Sequence, residues 1–242
     1  MAAADTPSVV ILCGGRGTRL QEHAQAIPKP LVEIGGRPIL WHVIQIYVAQ
    51  GFRRVLLLTG YRGEQIESFV DREAWPKGTE VRCLATGEDT PTGGRLFMAA
   101  GALRARGLFC ATYADGVADI DLGALLRYHA SHGAAATMTV VRPVLQFGVA
   151  RCGEDGLVRG FDEKPRSEHW VNGGFFCFEP AVLDVLEPAS VLEREPLQRL
   201  AAEGRLRAFR HEGFWDCLDT YKDAIALNDL WAQRAAPWKT WS

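Results

Sequence analysis

A glycine-rich stretch near the start of the chain contains the first residues that could do chemistry. The apolar run of residues 8–13 stops at paired glycines and continues as GGRGTRL, residues 14–20. Glycine lets backbone N–H groups face an anion closely, and arginine adds a fixed positive charge. The pattern therefore predicts a buried strand that opens into a loop able to bind a triphosphate.

Two well-known glycine motifs do not fit this stretch. The dinucleotide-binding motif GxGxxG needs a third glycine where Leu20 stands, and the P-loop motif GxxxxGK[ST] needs a lysine after its glycines. An ordinary turn after a strand stays open as an alternative, because short glycine motifs also arise by chance. The residues that follow favour phosphate binding.

Lys29 stands between two prolines, Pro28 and Pro30. Only five of the 27 basic residues are lysines, so a lysine in a pocket indicates a need for a compact point charge. Each proline favours extended backbone in the residue before it, so we expect stiff, non-helical backbone here. We predict that Lys29 contacts phosphate and stabilises charge in a transition state. The alternative is a solvated loop lysine.

Two aspartates are candidates for binding a metal ion. Asp115 ends an apolar run and precedes Gly116, where its carboxylate could bind Mg²⁺, which prefers oxygen ligands. A common Asp-Gly turn explains the same residues. Asp219 could be a second magnesium ligand or the N-cap of the next helix. Asp119 and Asp121 form a DxD-like pair, although Asp121 is better explained as a helix N-cap.

Further polar residues lie in predicted loops. Residues 86–95, TGEDTPTGGR, follow a predicted strand and should lie at the carboxyl edge of the sheet, where open α/β sheets bind ligands. Arg95 could place positive charge above a phosphate there. Farther on, Glu163 and Asn172 could hydrogen-bond sugar hydroxyls, and Lys164 could neutralise a phosphate. A surface loop and a hairpin turn with incidental charges are the alternatives.

The elements that must position these residues alternate between strand and helix up to residue 133. This rhythm predicts an α/β fold with a mostly parallel sheet flanked by helices. The predicted strands are 8–13, 54–59, 80–84 and 108–113, and the predicted helices are 39–50, 63–70, a helix that ends near 103, and 122–131. From residue 134 the sheet should become mixed, with further β-like runs at 137–141, 147–151, 157–162, 171–178 and 205–211.

Composition limits the class of protein. A chain of 242 residues with 48% hydrophobic residues suits one domain, and no stretch is long enough to span a membrane. A net charge of -2 argues against a nucleic-acid partner. We expect a cytoplasmic address, because no signal peptide precedes the first strand. Six cysteines without a CxxC pair indicate buried reduced thiols.

Two smaller features complete the prediction. His129 and His132 share a helix face with no third metal ligand nearby, so we expect them to be surface residues near the helix end. The aromatic tail, residues 237–241, should pack on the body of the protein or on another subunit.

In this order, the motifs resemble those of sugar-1-phosphate nucleotidyltransferases and, more narrowly, of bacterial glucose-1-phosphate cytidylyltransferases. The broad likeness rests on GGRGTRL and PKP, residues 28–30. The narrower likeness covers nearly the whole chain, through VEIGGRPILWH (32–42), GYRG (60–63), TGEDTPTGGRL (86–96), DGVADID (115–121), EKP (163–165), NGGFF (172–176), FWDCLDT (214–220) and APWKTW (236–241).

The resemblance implies a Rossmann-like α/β fold: a mixed, mostly parallel sheet with an added β-rich sugar-binding part. A single domain would comprise a nucleotide-binding part (about 1–133), a sugar-binding part (about 134–218) and a C-terminal helix and tail (219–242). The implied reaction moves CMP from CTP to a sugar 1-phosphate, with glucose 1-phosphate as the expected acceptor, and releases CDP-glucose and pyrophosphate. The implied cofactor is Mg²⁺, and the implied assembly is a homo-oligomer.

The resemblance also assigns roles to residues. Arg19, Lys29 and Asp115 would be catalytic, and Asp115 and Asp219 would bind Mg²⁺. The sugar phosphate would contact Glu163, Lys164, Asn172 and Gly173. The nucleotide would contact Leu12, Cys13, Gly14, Gly15, Arg16, Gly17, Thr18, Arg19, Lys29, Thr90, Arg95 and Ala114.

Departures from the family pattern leave the sugar and the base open. Ile27 stands where a lysine is usual, Ala114 where a glycine is usual, and Asp216 where a glutamine is usual. The loop 166–170 is unlike its glycine-rich counterpart and one residue shorter. The alternatives are therefore a nucleotidyltransferase with another base or sugar, a glycosyltransferase that uses the DxD pair, and a nucleotide sensor without turnover. The glycosyltransferase would leave GGRGTRL and PKP unexplained.

Overall fold

The computed structural model describes residues 6–15 and 27–241 of the chain. In those ranges the strands are β1 (Ser8–Cys13), β2 (Glu33–Ile34), β3 (Arg37–Pro38), β4 (Arg54–Thr59), β5 (Glu80–Ala85), β6 (Phe109–Tyr113), β7 (Gly116–Ala118), β8 (Ala136–Val141), β9 (Val149–Cys152), β10 (Val158–Asp162), β11 (Val171–Phe178), β12 (Leu206–Arg210) and β13 (Trp215–Cys217). The helices are α1 (Ile39–Val48), α2 (Gly63–Arg72), α3 (Thr92–Met98), α4 (Ala100–Arg104), α5 (Leu122–His132), α6 (Glu195–Ala202) and α7 (Tyr221–Ala232). Two 3₁₀ helices span Lys29–Leu31 and Pro180–Val185.

Seven of the strands form the central sheet, in the order β12-β8-β11-β6-β1-β4-β5. The β1–β4, β1–β6, β4–β5 and β8–β12 pairs are parallel, whereas β11 runs antiparallel to both of its neighbours, β6 and β8. The predicted mixed, mostly parallel sheet flanked by helices is therefore confirmed. Because β11 is the inverted strand, the carboxyl ends of β1, β4, β5, β6 and β8 share one edge.

The core has two layers, one on each face of the sheet. Alternate residues of β1 divide between them: Val9, Ile11 and Cys13 belong to one layer, and Val10 and Leu12 to the other. A strand buried on both faces needs a continuous apolar sequence, which β1 has from Val9 to Cys13. Helices α1, α2, α5 and α7 cover the first face, and α3, α4, α6 and the second 3₁₀ helix cover the other.

The termini of α5 follow the sequence prediction, whereas His129 does not. The side chain of Asp121 accepts a hydrogen bond from Ala124 N, and Gly133 ends the helix in the left-handed conformation. His129, expected on the surface, is buried: its Nδ1 pairs with Thr137 Oγ1 at 2.7 Å, and its Nε2 lies 3.3 Å from Glu179 Oε1. The prediction was wrong because β8 packs over this end of the helix.

The aromatic tail packs on the body of the protein. Trp238 is fully buried and stacks on Phe214, with ring centroids 5.5 Å apart. Its indole N–H points to Nδ1 of His42 at 3.3 Å, and His42 Nε2 donates to Ile34 O at 2.8 Å. Both ring nitrogens of His42 are therefore used by a neutral imidazole, with the proton on Nε2.

The thiols follow the prediction in most positions. Cys13, Cys110 and Cys177 are buried and free, Cys83 and Cys217 are half-buried, and Cys152 is exposed on β9. The buried-thiol prediction was wrong for Cys152, because β9 belongs to a two-stranded ribbon outside the central sheet. In the ranges 6–15 and 27–241, no helix combines the length and apolar character needed to cross a membrane.

Candidate active site

A cavity of about 400 Å³ opens at the carboxyl edge of the sheet, between the loops that follow β1, β5 and β6. Ligands bind at this edge in open α/β sheets. Eight of the predicted nucleotide-binding residues line the cavity, namely Leu12, Cys13, Gly14, Gly15, Lys29, Thr90, Arg95 and Ala114. The remaining four, Arg16, Gly17, Thr18 and Arg19, lie outside the described residues.

Three charged side chains meet at the edge of this cavity. The Lys29 ammonium lies 2.5 Å from Asp115 Oδ2 and 2.6 Å from Asp219 Oδ1. Burial alone would lower the pKa of Lys29, but the charges and hydrogen bonds of Asp115 and Asp219 outweigh it and raise this pKa. The ammonium therefore stays protonated and shares its charge between the two carboxylates.

The pairing of two short strands explains how Asp115 and Asp219, which are distant in sequence, come together. Strands β7 and β13 form a two-stranded antiparallel ribbon in which Gly116 pairs with Cys217. Leu218 N donates to Asp115 O at 2.9 Å just beyond that pair. The two aspartates therefore flank the same end of the ribbon, and their carboxylates reach one cation.

Two local predictions around these residues were wrong. Lys29 begins a 3₁₀ helix instead of lying in non-helical backbone, and Leu31 N closes the turn onto Pro28 O at 2.8 Å. Pro30 is tolerated because donors of a first turn have no partner within the helix. The N-cap of α7 is Thr220, which forms a capping box with Asp223, and Asp219 is not the cap. The Asp219 carboxylate is therefore available to Lys29.

The two aspartates fit the requirements of a hard divalent cation. Both carboxylates already contact a single positive group, and oxygen is the ligand such cations prefer. In the described part of the chain, no group of three or more histidine, cysteine, aspartate or glutamate side chains could hold a metal ion. A bound phosphate and water could supply further oxygen ligands.

Arg95 is buried in the cavity wall, and its guanidinium is bound to the backbone of neighbouring segments. Nη1 donates to Thr59 O, Thr86 Oγ1 and Gly87 O at 2.6–3.0 Å, and Nη2 donates to Gly14 O and Glu88 O at 3.0 and 3.2 Å. A Cβ on Gly14 would lie 1.9 Å from Arg95 Cζ. Arg95 therefore ties the end of β4 to the two cavity loops that follow β1 and β5, and the sequence pattern located the residue without revealing this orientation.

The predicted sugar-phosphate residues divide into two groups. Asn172 Nδ2 donates to the hydroxyl of the lining residue Tyr113 at 3.3 Å, so Asn172 lies beside the cavity. Gly173 follows it in sequence, and Gly173 O accepts from Trp215 Nε1 at 2.8 Å. Glu163 and Lys164 face solvent next to each other, with 64% and 51% of their side chains exposed. The structure does not bring these two residues to the wall of the cavity.

Several lining residues were not singled out from the sequence. They are Pro30, Glu88, Asp89, Pro91, Thr92 and Tyr113. Four of the six lie in the second glycine-rich loop, residues 86–95, so their position in that loop was the available signal. Tyr113 ends β6 just before Ala114 and Asp115. Its pKa is raised, mainly because the side chain is buried and also because the Glu193 carboxylate lies nearby. Its hydroxyl therefore stays protonated.

Two named proteins are similar to the chain over almost its full length. The protein named "Probable glucose-1-phosphate cytidylyltransferase" from Bacillus subtilis (strain 168) is 42% identical to the chain, and the match covers 96% of the chain and 99% of that protein. The glucose-1-phosphate cytidylyltransferase of Salmonella typhi is 40% identical over 96% of the chain and 98% of that protein.

The fold comparison points the same way. The crystal structure of HddC from Yersinia pseudotuberculosis superposes with a TM-score of 0.73 at 23% identity, covering 93% of this chain and 100% of that chain. Residues 8–225 match the family described as nucleotidyl transferase, a range that includes Lys29, Asp115 and Asp219. The expectation from the sequence motifs is confirmed: the chain is a nucleotidyltransferase and belongs to the nucleotidyl transferase family.

Proposed function

We propose that the protein transfers CMP from CTP to α-D-glucose 1-phosphate in a Mg²⁺-dependent reaction that yields CDP-glucose and pyrophosphate. The names of relatives that are 40–42% identical over almost their full length support the choice of base and sugar. The observation that carries the proposal is the convergence of Asp115 and Asp219 on the Lys29 ammonium, at the edge of a glycine-lined cavity.

The proposed nucleotide site is the cavity itself. Its glycine loop, Lys29, Thr90, Arg95 and Ala114 would hold CTP, with Arg95 acting through the backbone it joins. Asn172 and Gly173 would hold the sugar phosphate beside Tyr113. Glu163 and Lys164, which follow β10 in the exposed β9–β10 ribbon, would have to move toward the cavity to reach the sugar phosphate.

The proposed chemistry is an in-line attack by a phosphate oxygen of the sugar 1-phosphate on the α-phosphorus of CTP. The new P–O bond forms as the bond between the α- and β-phosphates breaks, and pyrophosphate leaves with the electron pair. The nucleophile is already an anion, so no general base is required. The protein must hold two mutually repelling anions in line and stabilise the charge that develops.

Lys29 and the two aspartates have separate tasks in this reaction. The Lys29 ammonium would stabilise charge on the phosphates, while Arg19 would contact the departing pyrophosphate. Asp115 and Asp219 would hold Mg²⁺. When bound, Mg²⁺ would screen the charge of the α-phosphate and help to orient it. Two carboxylates that already share one cation are suited to this role.

The direct test is pyrophosphate release from a panel of substrates. Purified protein would be incubated with CTP, dTTP, UTP, ATP or GTP, each with glucose, mannose or galactose 1-phosphate, with Mg²⁺ and with EDTA. We expect release with CTP and glucose 1-phosphate that stops in EDTA. GTP with mannose 1-phosphate is an informative competitor, because a mannose-1-phosphate guanylyltransferase catalytic subunit of Drosophila pseudoobscura pseudoobscura is 35% identical over 89% of the chain.

The other outcomes separate the alternatives. Release with a different pair would replace the base or the sugar in the proposal. Sugar transfer from a nucleotide sugar without pyrophosphate would identify a glycosyltransferase, and CTP binding without turnover a sensor. Release that persists in EDTA would contradict the role given to Asp115 and Asp219.

A homo-oligomer is also proposed, on the resemblance alone. The tail does not support it, because Trp238 is buried against its own chain. Light scattering coupled to size-exclusion chromatography would decide, and a mass of 26.6 kDa would exclude an oligomer.

A further inference from the structure

Glu193 joins two residues of the cavity wall, although no sequence motif pointed to it. It lies in the connection between the second 3₁₀ helix and α6. Its Oε1 accepts from the Tyr113 hydroxyl at 2.5 Å, and its Oε2 accepts from the Thr92 hydroxyl at 2.7 Å. Tyr113 and Thr92 both line the cavity, one at the end of β6 and the other at the start of α3.

The glycines at the start of α3 explain why this connection can lie so close. Gly94 N donates to Ser190 O at 3.0 Å, and a Cβ on Gly94 would lie 2.2 Å from Pro188 O. Leu192 N donates to Thr92 Oγ1 at 2.9 Å. These contacts hold the connection against the helix, where the Glu193 carboxylate reaches the hydroxyls of Thr92 and Tyr113.

The hydrogen bonds around Tyr113 have a forced direction. An ionised carboxylate only accepts, so the single proton of the Tyr113 hydroxyl goes to Glu193. The hydroxyl oxygen is then free to accept from Asn172 Nδ2 at 3.3 Å. Asn172 Oδ1 accepts in turn from Gly174 N at 2.9 Å, which fixes the orientation of the amide.

Packing holds the same chain of contacts in place. Gly174 has a positive φ of 79°, and a Cβ there would lie 2.6 Å from Tyr113 Cδ2. The Tyr113 ring therefore lies directly against the backbone that carries Asn172. Because Tyr113 is two residues before Asp115, its position also bears on where that carboxylate stands.

We propose that Glu193 is a positioning residue. It fixes the nucleotide side of the site, the cavity wall at Thr92, relative to the sugar-phosphate side at Asn172. The path runs from Thr92 through Glu193 and Tyr113 to Asn172. The inference rests on the proposed function for what the two sides bind, and on the contacts above for the coupling between them. Glu193 itself need not touch either substrate.

The test compares kinetic constants and binding in Glu193→Ala, Glu193→Gln, Tyr113→Phe and the double variant Glu193→Ala/Tyr113→Phe. We expect Glu193→Ala to lower kcat/KM for glucose 1-phosphate by about 10- to 100-fold, because misplacement by about 1 Å has effects of that size. The Kd of CTP alone, from calorimetry, should stay within about twofold of wild type, since the cavity glycines and Arg95 are untouched. Glu193→Gln keeps one acceptor oxygen, so its kcat/KM for glucose 1-phosphate should lie between those of wild type and Glu193→Ala.

The double variant tests the coupling directly. If Glu193 acts through Tyr113, the double variant should be no worse than the more severe single variant. Glu154→Ala, in the exposed turn between β9 and β10, is the matched control for loss of one acidic side chain and should behave as wild type. Circular dichroism would confirm that each variant is folded.

Three results would overturn the inference. They are an unchanged kcat/KM in Glu193→Ala, losses that multiply in the double variant, and a Kd of CTP that weakens in parallel with kcat/KM. Failure of the proposed function is a separate outcome, because the wild type would then transfer no CMP. The coupling would still be judged from thermal midpoints, where independent residues give additive shifts and coupled residues do not.

Discussion

Lys29 holds together two carboxylates that would otherwise repel each other. Its ammonium lies within 2.6 Å of both Asp115 and Asp219, and its side chain is only 13% exposed. In the proposed reaction the same charge faces phosphate, so we expect Lys29→Met to lower kcat by about 100-fold or more. Steady-state kinetics measure this, with the exposed Lys77→Met as the matched control. Near-normal turnover in folded Lys29→Met would remove Lys29 from the catalytic group.

The same residue predicts how the protein responds to metal without substrate. In the wild type, a divalent ion must compete with the ammonium for Asp115 and Asp219, so Mg²⁺ alone should shift the thermal midpoint little. Lys29→Met removes the ammonium that both carboxylates contact, which should lower the midpoint and let Mg²⁺ restore part of it. Differential scanning fluorimetry with and without Mg²⁺ checks this. Equal shifts in both proteins would argue against competition.

Gly14 is required by the position of the Arg95 guanidinium. A methyl group at Gly14 would overlap Arg95 Cζ, so Gly14→Ala must displace a buried side chain that ties the end of β4 to the loops after β1 and β5. We expect a loss of about 2 kcal/mol in the free energy of unfolding, typical of overpacking. Gly15→Ala is the control for stability, because a methyl group there would have no neighbouring atom within 4 Å. Urea unfolding compares the two, and equal losses would contradict this explanation.

At the scale of elements, the start of α7 controls Asp219. The Thr220 hydroxyl accepts from Asp223 N, while the Asp223 carboxylate accepts from the backbone N–H of Asp219 and of Thr220. We expect Thr220→Ala to lower the free energy of unfolding by about 1 kcal/mol, the usual effect of losing an N-cap. Urea unfolding would measure it. Thr220→Ser keeps the hydroxyl and should be close to wild type, and a loss in Thr220→Ser as large as in Thr220→Ala would contradict the capping role.

Local patterns predicted elements well and pairings poorly. Strands β1 and β4 have the predicted bounds, because each is an apolar run that ends at glycine or a polar residue. The inverted position of β11 between β6 and β8 depends on contacts far apart in sequence, which no local period encodes. The burial of His129 was missed for the same reason.

For the site, the sequence predicted which residues take part better than it predicted where their side chains lie. The family motifs identified Lys29, Asp115 and Asp219, although the contacting pairs lie 86 and 190 residues apart. They did not show where long side chains end, so the backbone contacts of the Arg95 guanidinium were not foreseen. Glu193 lies in an irregular connection, where neither periodicity nor glycine marks a residue that reaches across to another strand.

At the scale of the whole molecule, His42 ties the tail to α1 and makes stability depend on pH. Burial lowers its pKa from 6.5 to about 4, and the positive charge of Arg37 acts in the same direction. A lowered histidine pKa means that the unfolded chain binds the proton more readily. The free energy of unfolding is therefore unaffected by this group above pH 6.5 and decreases as the pH falls toward 4. The complete loss, reached below that pH, is about 3 kcal/mol.

The measurement combines urea unfolding between pH 4 and 8 with NMR of the histidine ring protons. The His42 resonance should not titrate between pH 8 and 5, although the free energy of unfolding falls over the acidic part of that range. His129 and His132 also have lowered pKa values, so they add to the same acid loss. A His42 resonance that titrates near pH 6.5 would contradict the burial argument.

The packing of the Arg95 guanidinium against glycine backbone has an evolutionary consequence. A methyl group at Gly14 or at Gly60 would collide with the guanidinium, and the backbone oxygen of Gly87 accepts from it. These positions lie in three separate sequence motifs, yet one side chain restricts two of them to glycine and contacts the third. Homologues that have lost the arginine should be released from that restriction at position 14, so substitutions at 14 should covary with the residue at 95. Position 60 should stay glycine, because a methyl group there would also lie 2.7 Å from the backbone oxygen of Gly87.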